Sequence, residues 1–291
     1  MIPFHAKSSN GSEIYLLRKT ENFFAKLFPG ARLHVERLVA VSPNGIVYRV
    51  RSKTVEVTLC ARLVPRRAED DSSWRADLQT LARLRNPFLI TLYRVVQTSN
   101  GSVIVSEWID QPRLDTWVTT VGPLDPVDTI RLGLQLACGL GELHMAGARH
   151  GQVTPRNVAF LGGLGSQLRT ALMDFEPSKR CAEHDSQADV RGIGSVLRFA
   201  LTGGQVHDTQ PGIPTILWEA IRDMETTSDG LLCCQDVTRR LSTIRRRIAT
   251  GDVDQPPPLA ALEAFTQPLA RIRPRRVTPP PLPEGIHDEK N

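Results

Sequence analysis

The stretch His150-Gly151-Gln152-Val153-Thr154-Pro155-Arg156-Asn157 gathers an imidazole, two amides and a hydroxyl at close spacing, with no carboxylate among them. The Gln152 amide is not a useful base near neutral pH, and Thr154 carries no charge. After the turn-rich Gly162-Gly163-Leu164-Gly165 comes Met173-Asp174-Phe175-Glu176, where two carboxylates flank an aromatic ring. Elsewhere, Cys181 and His184 could supply half of a metal site, but no second pair at ligand spacing completes it. The five cysteines form no C-x-x-C pair, and Cys60 and Cys138 fall inside apolar patterns expected to bury them. Asn10-Gly11-Ser12 and Asn100-Gly101-Ser102 are sequons that matter only in a secretory compartment.

The first stretch resembles the catalytic loop of protein kinases, H-R-D-x-K-P-x-N. The other landmarks of that family follow in order. Leu81 to Leu89 resembles the segment joining the regulatory helix to the fourth strand, and Val103 to Trp108 the strand that runs into the interlobe hinge. Met173 to Glu176 resembles the D-F-G motif. Asp189 to Leu197, followed by Leu201-Thr202-Gly203, resembles the buried helix that opens D-x-x-x-x-G and ends L-T-G. The resemblance implies a bilobal α+β fold with a small β-rich lobe and a larger helical one. It places Gln152 where an active kinase carries its catalytic Asp and Thr154 where it carries the catalytic-loop Lys. Asn157 and Asp174 match the family's metal-holding positions, and Glu176, in place of the D-F-G glycine, either adds a ligand oxygen or puts a negative group where phosphates would lie.

The nucleotide-binding positions implied by the resemblance are worn. The glycine-rich loop becomes Ala40-Val41-Ser42-Pro43-Asn44-Gly45, in which only Gly45 remains and Pro43 removes a backbone donor. Pro43-Asn44-Gly45 still makes a tight turn, so two strands can form a hairpin here without a ligand. Arg62 stands in place of the V-A-I-K lysine on a strand expected over Val55–Val64, and Asp77 stands at the regulatory-helix glutamate position. Glu107 lies at the hinge strand. Arg62 and Asp77 are expected to serve more as a structural tie than as a phosphate clamp. Only twelve residues, Pro177 to Ala188, separate Glu176 from Asp189, and no A-P-E motif occurs among them, an interval too short for the usual peptide-docking platform. Gly151 also removes the arginine that would pair with an activating phosphate.

The elements that must position these groups are legible. Residues 13–28 read as an amphipathic helix packing on the small lobe, with Ser12 as cap and Pro29-Gly30 as stop. Asp125-Pro126-Val127-Asp128 starts a central helix running to Met145. Further helices are expected around Leu217–Ile221 and Val237–Ile248. Nine of the 21 prolines lie between Pro256 and Pro283, which marks residues 253–291 as an extended tail. The domains expected are therefore a 1–34 extension, a 35–108 small lobe, a 109–252 large lobe and the tail.

At 291 residues and 41% hydrophobic content the chain can bury a large core, and no apolar run reaches transmembrane length. The net charge is +5, with arginine clusters at Arg239-Arg240, Arg245 to Arg247 and Arg271 to Arg276. Aromatics make up 5% and do not interleave with them, which favours solvated helix faces over a nucleic-acid surface. Together these features predict a catalytically inactive pseudokinase, not an enzyme, acting as a protein-interaction or scaffold module through unnamed protein partners, with no cofactor and no productive ATP binding. The alternative is an atypical nucleotide- and metal-dependent transferase using Asp174 and Asn157. The small-lobe helix is also similar to that of the secreted rhoptry kinases and pseudokinases of apicomplexan parasites, which would imply secretion.

Overall fold

A computed structural model describes residues 20–42, 45–65, 72–175, 186–204, 212–227 and 232–251. The 253–291 tail, Cys181, His184 and Glu176 lie outside the described residues, as do Pro43, Asn44 and the first part of the 13–28 helix. The described chain falls into two compact units. One holds the residues before 72 together with Thr91–Trp108; the other holds Ser72–Ile90 and the residues from Ile109 onward.

The first unit is a five-stranded antiparallel sheet in the order β1-β2-β3-β5-β4. Its strands are β1 (Leu33–Ser42), β2 (Gly45–Ser52), β3 (Thr58–Pro65), β4 (Leu92–Thr98) and β5 (Gly101–Glu107). In β2 the apolar residues recur every second position, so Ile46, Tyr48 and Val50 face the core while Arg49 and Arg51 do not. Tyr48 pairs with the small Ala61 on β3, and Val50 with Leu59, which lets large and small side chains interdigitate. The helical residues 20–27 (α1) lay Phe24 on this face. The Phe24 ring stands edge-on to Tyr48 at 6.1 Å, Thr20 Oγ1 donates to the Tyr48 hydroxyl at 3.3 Å, and Phe28 joins the same core. β3 starts at Thr58, three residues later than the pattern from Val55 suggests. Residues 53–55 instead form the turn, Glu56 adopts φ 54°, and the Ser52 N–H closes the hairpin on Val57 O at 2.9 Å.

The second unit is helical, with α2 (Ser72–Arg83), α3 (Leu114–Thr120), α4 (Pro126–Met145), α5 (Ser186–Thr202), α6 (Thr215–Thr226) and α7 (Cys234–Thr250). Between α4 and α5 lies a small antiparallel pair, β6 (Val158–Phe160) with β7 (Thr170–Leu172). Asp125 caps α4 as its sequence suggests, its carboxylate accepting the Asp128 N–H at 2.8 Å with Pro126 at the first turn. Ile130, Leu132, Leu136, Leu140 and Leu143 are fully buried, so α4 is the central rod against which α5 and α7 pack. α5 begins at Ser186, before the expected Asp189, because Gln187 is itself anchored: its Nε2 donates to Leu232 O at 2.7 Å and its Oε1 accepts from Thr227 Oγ1 at 3.1 Å. Cys138 and Cys60 are only half-buried, whereas Cys234 is buried. No helix among the described residues is long and apolar enough to cross a membrane.

Candidate functional site

The loop from His150 to Asn157 is fixed from below by one buried carboxylate. Asp189, at the start of α5, accepts the His150 N–H and the Gly151 N–H at 2.9 Å each, and its Oδ2 meets His144 Nε2 at 2.8 Å. Burial alone would raise the Asp189 pKa. The His144 hydrogen bond and the neighbouring His150 outweigh it, and the net shift is downward, so the group stays ionised. His144 in turn faces the Cys234 thiol, with Nδ1 3.6 Å from Sγ, and burial raises that thiol's pKa so that it stays protonated. Gly151 takes φ +78°, which turns the loop so that both amides reach Asp189.

His150 sits inside this loop, 1% exposed. Burial lowers its pKa, with Asp189 pulling the other way. The neutral ring accepts the Gln152 N–H on Nδ1 at 3.3 Å, so its Nε2–H donates to Met173 O at 3.2 Å, and Phe175 stands edge-on to it at 5.5 Å. His150 therefore clips the loop to the segment that carries Asp174. Asn157 makes a second clip, its backbone oxygen accepting the Met173 N–H at 2.8 Å. Its Nδ2 is committed to Gln152 O at 2.8 Å, which leaves the amide Oδ1 as its remaining acceptor.

Asp174 has φ +58°, a left-handed conformation costing a residue with a side chain about 1–2 kcal/mol. The Asp174 carboxylate and the Asn157 Oδ1 are hard oxygen donors of the kind a divalent cation takes. Around them the cationic complement differs from the family pattern. Thr154 Oγ1 is a buried oxygen with no hydrogen-bond partner where a lysine would stand. A guanidinium that the sequence did not single out, Arg113 Nη2, lies 3.9 Å from Asp174 Oδ2. Gln152, half-buried, offers the site its amide and no proton acceptor.

The remaining expected positions are built into packing. Ser42 pairs with Gly45 and donates its hydroxyl to Gly45 O at 3.2 Å, and Ala40 pairs with Val47. Gly45 has φ +136°, and a Cβ there would lie 2.3 Å from Leu63 O, so this glycine serves strand-to-strand approach. Arg62 lies on β3 opposite Val47 and Ile104. Asp77 lies on α2 in the helical unit; burial raises its pKa while Arg149 pulls it down, a partner that sequence spacing gave no way to find. Glu107 closes the end of β5, its Oε1 accepting the Thr91 N–H at 3.1 Å, and burial raises its pKa against that bond.

A family model described as protein tyrosine and serine/threonine kinase matches residues 39–192, more than half of the chain. The chain belongs to that family. Its relatives include the probable serine/threonine-protein kinase pknA2 of Bifidobacterium longum, 19% identical over 87% of this chain and 37% of its own length. Serine/threonine-protein kinase PknE of Mycobacterium bovis is 24% identical over 76% of this chain and 47% of its own. PknK of Mycobacterium tuberculosis is 24% identical over 58% and 17%. The chain thus spans less than half the length of each. These relatives overturn the expectation, drawn from Gln152, Thr154, the worn glycine loop and the short interval before Asp189, that the chain is not an enzyme, because all are named kinases. The physical reason is that phosphoryl transfer passes through a loose transition state, in which positioning and electrostatics outweigh the base. A missing carboxylate at position 152 therefore does not by itself exclude transfer.

Proposed function

We propose that this chain is a kinase-family phosphotransfer domain that holds ATP and a divalent cation through Asn157 and Asp174 and phosphorylates a protein hydroxyl slowly. The observation that carries this reading is the strained Asp174 held beside Asn157 by the Met173–Asn157 hydrogen bond. Asn157 and Asp174 would hold the metal ion, which would supply charge neutralisation for the phosphates. The protein's own part is positional: Asp189, His150 and Asn157 hold the loop and the Asp174 segment in one register. In the transfer, the bond from the γ-phosphorus to its bridging oxygen breaks as the bond to the acceptor hydroxyl forms, and the hydroxyl proton passes to water because Gln152 cannot take it.

The named relatives are all bacterial serine/threonine kinases, and they favour this reading over a silent module and over a likeness to parasite proteins. Label transfer from γ-labelled ATP to a generic protein substrate tests it. Slow incorporation is expected, rising about a hundredfold in Gln152→Asp, the lower range of what a positioned general base contributes. No transfer by either form would refute it. A second role in protein binding is favoured by edge strand β1, where Val39 and Val41 are exposed at 38% and 57% on a strand with one side that no other described strand pairs. Replacing both valines with lysine should abolish such binding.

A further inference from the structure

In the kinase family the cation nearest the transferred phosphate comes from the catalytic loop, and here that residue is Thr154. Arg113 supplies the positive charge from another element. Its backbone is bridged to Ala159 on β6, the Phe160 N–H donates to the preceding Pro112 O at 3.0 Å, and its own carbonyl starts α3 by accepting the Trp117 N–H at 2.8 Å. These bonds fix the base of the Arg113 side chain to the strand that leaves the Asn157 loop. The guanidinium then reaches to 3.9 Å from Asp174 Oδ2, and its side chain remains 46% exposed, so its other donors are open to a ligand.

Resting on the phosphotransfer reading above, we propose that Arg113 is the phosphate-binding cation of this site and makes nucleotide binding unusually tolerant of metal removal. A guanidinium presents a planar fork of donors that matches two phosphate oxygens at once and is charged at every working pH. Placed next to Asp174 it also repels a divalent cation bound to that carboxylate. The two effects act in the same direction. Phosphate binding gains a permanent protein partner, while the metal's advantage shrinks.

Calorimetric titration of the full chain with ATP, in excess magnesium and in chelator, tests this. Wild type should lose less than about fivefold in affinity when magnesium is removed. Arg113→Gln should lose about tenfold or more in chelator, the scale of one charge-assisted hydrogen bond, and less than that with magnesium present. Arg113→Lys should recover part of the loss, and adenosine, which has no phosphates, should bind both forms alike. If Arg113 only neutralises Asp174, Arg113→Gln will bind ATP in chelator as wild type does, and the inference falls while the phosphotransfer reading stands. If wild type binds no ATP in either condition, both fall.

Discussion

A single carboxylate, Asp189, organises the residues on which the chemistry depends. It is buried, ionised and satisfied by three donors, the two loop amides and His144, so removing it would leave those donors unpaired in a dry interior. His150 above it is held neutral. The two groups give the protein a definite response to acid. His150 has its folded pKa below the ordinary 6.5, so on acidification the unfolded chain takes a proton that the folded loop refuses. Asp189 has its folded pKa below 3.8, so it adds stability that is present above that value and lost further down. Stability should therefore begin to fall as pH drops through about 6.5. Urea unfolding at pH 7.5 and 5.5 checks this: wild type should show a lower midpoint at the acid pH, and the difference should shrink in His150→Gln. Asp189, Asp174 and His144 are the charged or titratable groups that act on His150, and a slope unchanged in the variant would contradict the assignment to His150.

The elements that aim these residues meet at close quarters, and one glycine shows how close. A Cβ at Gly192 on α5 would lie 2.5 Å from Val153 Cβ and 2.7 Å from Val153 O, so α5 packs directly on the backbone of the catalytic loop. Gly192→Ala should destabilise the helical unit by about 1–3 kcal/mol through overpacking and should weaken ATP binding, since Val153 moves with Gln152 and Thr154. Thermal unfolding with and without nucleotide measures both. Much of this architecture was legible in the sequence, because caps and landmark spacings are local. Asp125-Pro126 set the start of α4, and His150, Asn157 and Asp174 came from short patterns that survive substitution around them. What spacing could not show were meetings between distant segments. Arg113 and Asp174 approach only because the start of α3 is bridged to β6, and Arg149 acts on Asp77 across the intervening chain. The expectation that the chain is not an enzyme, drawn from Gln152, Thr154, the worn glycine loop and the short interval from Pro177 to Ala188, runs against the kinases the chain resembles, because each of these features was weighed one position at a time.

At the scale of the molecule, the described residues build two units, each with its own core. One is the sheet covered by α1, where Phe24 and Tyr48 lock the packing; the other is the helical body around α4. The sheet carries the worn glycine-loop positions, now spent on strand pairing, and the helical body carries the oxygen donors and the arginine. The oxygen donors and the arginine are thus concentrated in the helical unit. On the proposed function, Asp174 is a working metal ligand and not a relic of ancestry. Heat of binding of magnesium-ATP to the purified full chain, compared with Asp174→Asn, tests it most directly. Saturable binding whose gain on adding magnesium, up to about fivefold in wild type, is lost in the variant is the predicted result. Equal heats from the two proteins would contradict it.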